Sequence, residues 1–299
     1  MGKFFDALQK SKVVVGRSTS SEVEPQRRPS LRDTSSSPAE MAKAIRLKPE
    51  ACQLAAVHEL LICCRQDGNR EIDFATEQYK MLCSQLFFPA ARPIPKTILV
   101  TSAIPGEGKS IVSSNLALSI ALRKQEYALL IECDLRRPSL CKIFGIDKRR
   151  GLSDYLSEEG ELNNYLFKTA IDKLTVLPGG LSPRDPYELL TSNRMMKLLE
   201  ETRNRYEDRY VIVDTTPAQV GAETSVLTKF IDGVILVVRY GKTSRKLVQE
   251  TVEKIGKDKI LGVVFNAFEG TYTNEYYYKY YNVVSDSIIK KITRTFSRK

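Results

Sequence analysis

The chain has 299 residues and a mass of 33.8 kDa, ample for a sizeable core, and its 42% hydrophobic and 27% charged residues are ordinary for a globular protein. A single histidine, His58, excludes multi-histidine metal sites and leaves a Ser-His-Asp triad only one base, while six cysteines without CxxC spacing read as reduced thiols rather than disulfides or zinc ligands. The net charge of +10 admits an anionic partner but reads first as a solvated surface with a basic tail.

Residues 3–12 fit one short helix with Phe4, Phe5 and Leu8 on one side, either a frayed end or a docking peptide. The opening stretch lacks the apolar centre of a signal peptide, and Asp6 breaks the myristoylation pattern. No apolar run approaches the roughly 18 residues of a membrane span, so a cytoplasmic chain is expected. Residues 16–38 hold twelve Ser, Thr or Pro, too little apolar surface to offset ordering, and read as a disordered linker. Residues 39–66 read as helix, and 71–88 contain another helical stretch.

From Lys96 the pattern alternates strand and helix. Strands are predicted at 97–102, 128–133, 174–177, 210–214, 233–239 and 260–266, with helices such as 110–123 and 243–255 between them. Most are short runs rich in Val, Ile and Leu, as strands covered on both faces should be. The fold class is therefore α/β: a doubly wound, mostly parallel sheet with helices on both faces. Ligands in such sheets bind at the carboxyl ends of the strands. The organisation is residues 1–45 as helix and linker, 46–270 as the folded domain, and 271–299 as a tail.

Directly after the first strand comes Ala103-Ile104-Pro105-Gly106-Glu107-Gly108-Lys109-Ser110, which fits GxxxxGK[ST] with Ala103 in place of the first Gly. Gly106 and Gly108 let backbone N–H groups wrap phosphates, Lys109 supplies a point charge at the γ-phosphate, and the Ser110 hydroxyl suits Mg²⁺. The candidate ATP-binding set is Pro105, Gly106, Glu107, Gly108, Lys109, Ser110 and Ile111. Asn266, at a strand's carboxyl end, is a candidate for reading the adenine edge, with turn capping as the equal alternative.

Two acidic strand ends follow. Leu129–Leu130–Ile131 delivers Glu132 and Asp134 to the carboxyl edge with Arg136 beside them, and Val211–Ile212–Val213 does the same for Asp214. Buried carboxylates need a cation or hydrogen bonds. Ser110, Glu132, Asp134 and Asp214 are the candidate metal ligands, and Lys109, Asp134, Asp214 and Arg136 the candidate catalytic residues. Arg136 is placed to offset charge on a transferring phosphoryl group.

Near the end, Tyr272, Tyr276, Tyr277, Tyr278, Tyr280 and Tyr281 put six of the 14 tyrosines in ten positions. Neither a strand nor a helix period produces such adjacent runs, and a base-stacking platform would interleave Arg, so no nucleic-acid partner is expected. The preferred reading is a phosphate-accepting tail. Each phosphotyrosine adds about −1.5 to −2 charge, enough for a handful to cancel the positive excess. The basic 285–299 segment reads as a solvated tail, with weak contact to a membrane surface as the alternative.

These motifs resemble the bacterial tyrosine kinases of the polysaccharide co-polymerase system. The match is to the separate cytoplasmic type, and the chain is similar to the autokinases of exosortase-associated loci. The match runs over roughly residues 77–281, through the phosphate loop, the hhhDxDxR-like 129–136 and the hhhDxxP-like 211–217. The resemblance implies a P-loop NTPase fold of the MinD/ParA type and ATP with Mg²⁺. It also implies autophosphorylation of the C-terminal tyrosine cluster, control of exopolysaccharide polymerisation or export, self-association, and activation by a membrane chain-length-determining co-polymerase. The family's subunit-joining ExxRxxR helix reads here Glu77, Lys80 and Cys83. The alternatives are a positioning ATPase of the MinD/ParA group and a non-catalytic nucleotide-binding adaptor. The extra loop lysine of the positioning group is Ile104 here.

Overall fold

A computed structural model describes residues 60–64, 70–89, 92–147, 150–158, 160–204 and 208–267. The expected helix at 3–12, the linker, the tyrosine cluster and the basic tail lie outside these residues. Seven strands form one sheet: β1 (Thr97–Ser102), β2 (Tyr127–Glu132), β3 (Phe167–Lys168), β4 (Leu174–Leu177), β5 (Arg209–Asp214), β6 (Gly233–Arg239) and β7 (Ile260–Asn266). Their order is β3-β4-β2-β5-β1-β6-β7. All neighbours are parallel except β3, which pairs antiparallel with β4 at the edge.

The helices are α1 (Arg70–Phe87), α2 (Lys109–Ala121), α3 (Leu140–Ile143), α4 (Leu152–Ser157), α5 (Pro186–Leu190), α6 (Asn193–Asn204), α7 (Ala222–Leu227) and α8 (Arg245–Ile255). Alternation along each strand sends side chains to two separate cores. Ile98, Val100, Leu130 and Ile212 pack with Leu86 and Phe87 of α1 and Leu116 of α2. Leu99, Leu129, Val211 and Val213 face the other way, onto Met195, Leu198 and Leu199 of α6. Two buried faces explain the near-continuous apolar runs in the sequence.

Helix α2 is buried along almost its whole length, including Ser113, Ser114 and Asn115. Those polar groups are satisfied locally: Ser114 Oγ donates to the Ser110 carbonyl at 2.6 Å, and Asn115 Nδ2 donates to the Ile111 and Leu60 carbonyls. Asn115 Oδ1 also accepts from the Cys63 N–H at 3.3 Å. The described end of the helix expected over 39–66 is accordingly a 3₁₀ turn, Ile62–Cys64, because the Asn115 amide takes the backbone groups that an α-helix would use.

Cys83 sits where the resembled helix carries its second Arg. It is 2% exposed, packed in the α1–α2 core, and burial pushes its thiol up to about 12. That position points inward and offers nothing to a neighbouring subunit. No helix among the described residues is long and apolar enough to cross a membrane.

Candidate active site

The sheet order brings the three motif loops together. β1 lies between β5 and β6, and β5 lies between β1 and β2, so the chain crosses over from β1 to β2 and leaves a crevice at the carboxyl ends. In register, Val100 of β1 stands opposite Asp214 of β5, and Asp214 stands opposite Glu132 of β2. Beyond the strand, Thr215 N–H donates to Val100 O and Ala218 N–H to Ser102 O, while Cys133 N–H donates to Asp214 O. These bonds fix the β5 tip against both neighbouring strands.

The phosphate loop is held from behind. Glu107 is 1% exposed, and its carboxylate faces inward rather than toward a phosphate. Oε2 accepts from the Ile104 N–H at 2.9 Å. Oε1 accepts from the Arg239 N–H at 3.0 Å and from the Thr243 hydroxyl. An inward carboxylate satisfied by three donors ties the loop to the β6–α8 connection and leaves the outward N–H groups free for an anion. Arg239 Nη1 adds a bond to the Gly106 carbonyl at 3.3 Å.

Gly108 caps α2 with φ 90°, a left-handed backbone that favours glycine. A Cβ there would meet Asn266 Nδ2 at 2.0 Å. That same amide donates to the Glu107 carbonyl at 2.8 Å. Asn266 therefore acts on the loop's shape. The role as adenine reader predicts weaker ATP binding with GTP untouched; the loop role predicts that Asn266→Ala weakens both nucleotides alike, by about fivefold to tenfold for one lost hydrogen bond and its relaxation. Titration with fluorescent ATP and GTP analogues decides between them, and a loss confined to ATP contradicts the loop role.

At the front of the site, Lys109 Nζ lies 2.9 Å from Asp134 Oδ2, and the two side chains are only 12% and 7% exposed. Asp134 Oδ1 also accepts from the Arg137 N–H at 3.1 Å. Asp214 is fully buried, and neither of its carboxylate oxygens has a hydrogen-bond partner. Burial pushes its pKa up to about 7. The Lys109 charge and the nearby Ser110 hydroxyl, which lies outside hydrogen-bond geometry, pull against this, and the Glu132 and Asp134 charges add to it. An orphaned buried carboxylate beside a serine hydroxyl is a hard-oxygen donor set, which fits Mg²⁺: that ion takes one or two carboxylates and completes its shell with phosphate and water. Among the described residues, no group of three or more His, Cys, Asp or Glu is placed to hold a metal ion.

Glu132, expected among the metal ligands, is committed elsewhere. Its Oε1 accepts from the Ser139 and Leu140 N–H groups at the start of α3, and its Oε2 from the Gly179 N–H at 2.8 Å. Burial pushes its pKa up, and the three N–H bonds pull it back. The side chain thus pins the β2–α3 and β4–α5 connections beneath the site. Arg136 is half-exposed at the mouth, with Nε 3.3 Å from Glu223 Oε1. Glu223, Arg239 and Thr243 carry no signal of their own in the phosphate-loop or acidic motifs, and Thr216 stands at an unspecified position of the 211–217 motif; each joins the site only through tertiary register. Ile111 follows Ser110 in the first turn of α2, and its N–H donates back to the Gly108 carbonyl. Pro105 is exposed on the loop's outer side.

No family model matches the chain. The chain is 32% identical over 205 residues to the tyrosine-protein kinase YwqD of Bacillus subtilis strain 168, which covers 68% of this chain and 85% of YwqD. It is 32% identical over 196 residues to the tyrosine-protein kinase Etk of Escherichia coli K12, covering 65% of this chain but only 27% of that longer protein. Among solved structures, the chimerical protein CapA2B2 superposes with a TM-score of 0.64 at 29% identity, over 71% of this chain and 91% of that one. The kinase domain of Escherichia coli ETK gives 0.59 at 30% identity, over 66% and 78%. With a phosphate loop, a lysine–aspartate pair and a second buried aspartate converging at one sheet edge, and with YwqD covered over most of its length, the chain belongs to the bacterial tyrosine kinases.

Proposed function

We propose that this kinase transfers the γ-phosphoryl group of Mg-ATP to its own tyrosines, Tyr272, Tyr276, Tyr277, Tyr278, Tyr280 and Tyr281, carried by a neighbouring copy. The observation that carries the reading is the orphaned Asp214 carboxylate beside Ser110, next to the Lys109–Asp134 pair. The N–H groups of 106–110 cradle the phosphates, and Lys109 meets the γ-phosphate. Ser110, Asp214 and Asp134 would hold Mg²⁺, which supplies charge neutralisation across the β- and γ-phosphates. Asp134 and Asp214 also orient the incoming phenol. The phenol oxygen bonds to the γ-phosphorus as the bridging bond to the β-phosphate breaks. ADP leaves, and the phenolic proton passes to a carboxylate. Catalysis is then mainly positioning and electrostatics.

The positioning-ATPase reading is weaker, because the loop position that would carry a second lysine is Ile104, whose N–H is spent on Glu107. The resemblance to separately encoded co-polymerase kinases supports a role in exopolysaccharide polymerisation or export. It also supports a cytoplasmic chain drawn to the membrane by a co-polymerase partner.

A mixing experiment tests the transfer between copies. A chain with all six cluster tyrosines changed to Phe keeps its catalytic residues but has no acceptors there. A Lys109→Met chain keeps the acceptors but has no catalyst. Mixed with Mg-ATP, the Lys109→Met chain is expected to gain phosphotyrosine, while neither chain does so alone. A Lys109→Met chain that stays unlabelled in the mixture overturns transfer between copies.

A further inference from the structure

The loops after β2 and β5 each contribute twice. Asp134 and Asp214 form the first tier. Two residues further along each loop, Arg136 and Thr216 meet a third residue, Glu223 of α7. Glu223 is 1% exposed. Its Oε1 accepts from Arg136 Nε at 3.3 Å and from the Thr216 hydroxyl at 3.2 Å, and its Oε2 has no partner. Thr216 is itself set by Thr224, whose hydroxyl lies 3.0 Å from Thr216 Oγ1 and donates to Thr216 O. The loop is shaped to allow this. A Cβ on Gly221 would stand 2.0 Å from Thr216 Oγ1 and 2.9 Å from Glu223 Oε1.

Arg136 is otherwise a half-exposed surface arginine, which would lose several rotatable bonds of freedom to be useful. Glu223 anchors it by Nε alone. The two terminal amino groups of Arg136 make no hydrogen bond among the described residues, on a side chain that is 47% exposed and stands two residues from Asp134. A guanidinium held by one edge presents the other edge as a fork, the geometry that takes two phosphoryl oxygens at once.

We infer that Glu223 is a positioning residue that aims the Arg136 guanidinium at the transferred phosphoryl group, an inference that rests on the kinase reading of this site. A buried carboxylate with one oxygen unpartnered is costly unless a cation stands beside it, and Arg136 is the cation that does. The pair should therefore act as one unit in transfer and contribute little to ground-state ATP binding.

The test uses the full chain with Arg136→Ala, Glu223→Gln, Glu223→Asp and the Arg136→Ala/Glu223→Gln double variant, with thermal melting beside the kinetics. The expected result is a loss of about 100-fold in kcat for Arg136→Ala and Glu223→Gln, with KM for ATP within threefold of the parent. The double variant should be no worse than Arg136→Ala alone, and Glu223→Asp should recover part of the rate. A Glu223→Gln rate within twofold of the parent, a double variant whose losses multiply, or a loss that melting at the assay temperature accounts for overturns the inference. If the parent chain itself leaves tyrosine bare, the kinase reading fails separately. The pair is then judged by how much aluminium fluoride, a mimic of the phosphoryl group in transfer, tightens the binding of Mg-ADP. An equal loss of that tightening in Arg136→Ala and Glu223→Gln supports the pairing, and a tightening kept in either one overturns it.

Discussion

Changing Lys109 to Met is expected to reduce tyrosine phosphorylation by at least about 1000-fold, the scale set by removing a single preorganised charge from a water-excluded transfer site. The effect has two parts. In the proposed transfer Lys109 meets the γ-phosphate, and it also neutralises Asp134 at 2.9 Å with both groups nearly out of water. Its loss leaves a buried carboxylate with only the Arg137 N–H, which should lower stability by roughly 3 kcal/mol. The two parts separate cleanly. Adding Asp134→Asn to Lys109→Met should restore the melting temperature, because the uncompensated charge is gone, without restoring activity. Initial rates of phosphotyrosine formation and thermal melts of the single and double variants check this. A Lys109→Met chain with near-parental activity, or a double variant less stable than Lys109→Met, contradicts it.

The second large effect has opposite signs for stability and for activity. Asp214→Asn should abolish transfer to a similar degree, since it removes the orphaned carboxylate. It should also stabilise the nucleotide-free protein above neutral pH. The folded pKa of Asp214 is about 7, against an ordinary value of 3.8. Between those values the folded chain binds more protons at this group than the unfolded chain, so its contribution to stability falls as pH rises. Below 3.8 the group is neutral in both states and costs nothing. Above about 7 the full penalty is present, on the order of 4 kcal/mol at most. Asparagine keeps the shape and removes the charge. Melts at pH 5 and pH 8 without nucleotide should show Asp214→Asn more stable than the parent at pH 8, with the gap shrinking at pH 5. Mg-ATP should raise the parent's melting temperature and leave the variant's nearly unchanged. A variant less stable than the parent at pH 8 contradicts the burial argument.

Much of the architecture could be read before any coordinates because parallel strands buried on both faces leave contiguous Val, Ile and Leu runs. β1, β5 and β6 each appear within a residue of their observed ends. The two-residue β3 escaped notice, since Phe167 and Lys168 carry no periodicity and pair only because β4 offers a free edge. The phosphate loop was legible as a pattern, but the part played by Glu107 was not. Membership of the loop places the Glu107 N–H among the phosphate-facing groups, while its side chain is an inward latch for donors 132 and 136 residues later in the chain, which no local pattern announces. The partners of Glu132 are hidden for a related reason. Position at a strand tip shows that a carboxylate reaches the edge, not which N–H groups wait for it there, and its longer side chain meets Ser139, Leu140 and Gly179. Glu223 left no sequence signal, because its partner Arg136 lies 87 residues earlier.

The most direct test is to incubate the purified full chain with Mg-ATP, map modified residues by mass spectrometry and record phosphate release alongside. The account predicts phosphate on several tyrosines between 272 and 281, absent when Lys109 is Met, with little free phosphate released beyond what reaches protein. ATP consumed to free phosphate while every one of those tyrosines remains unmodified would contradict it.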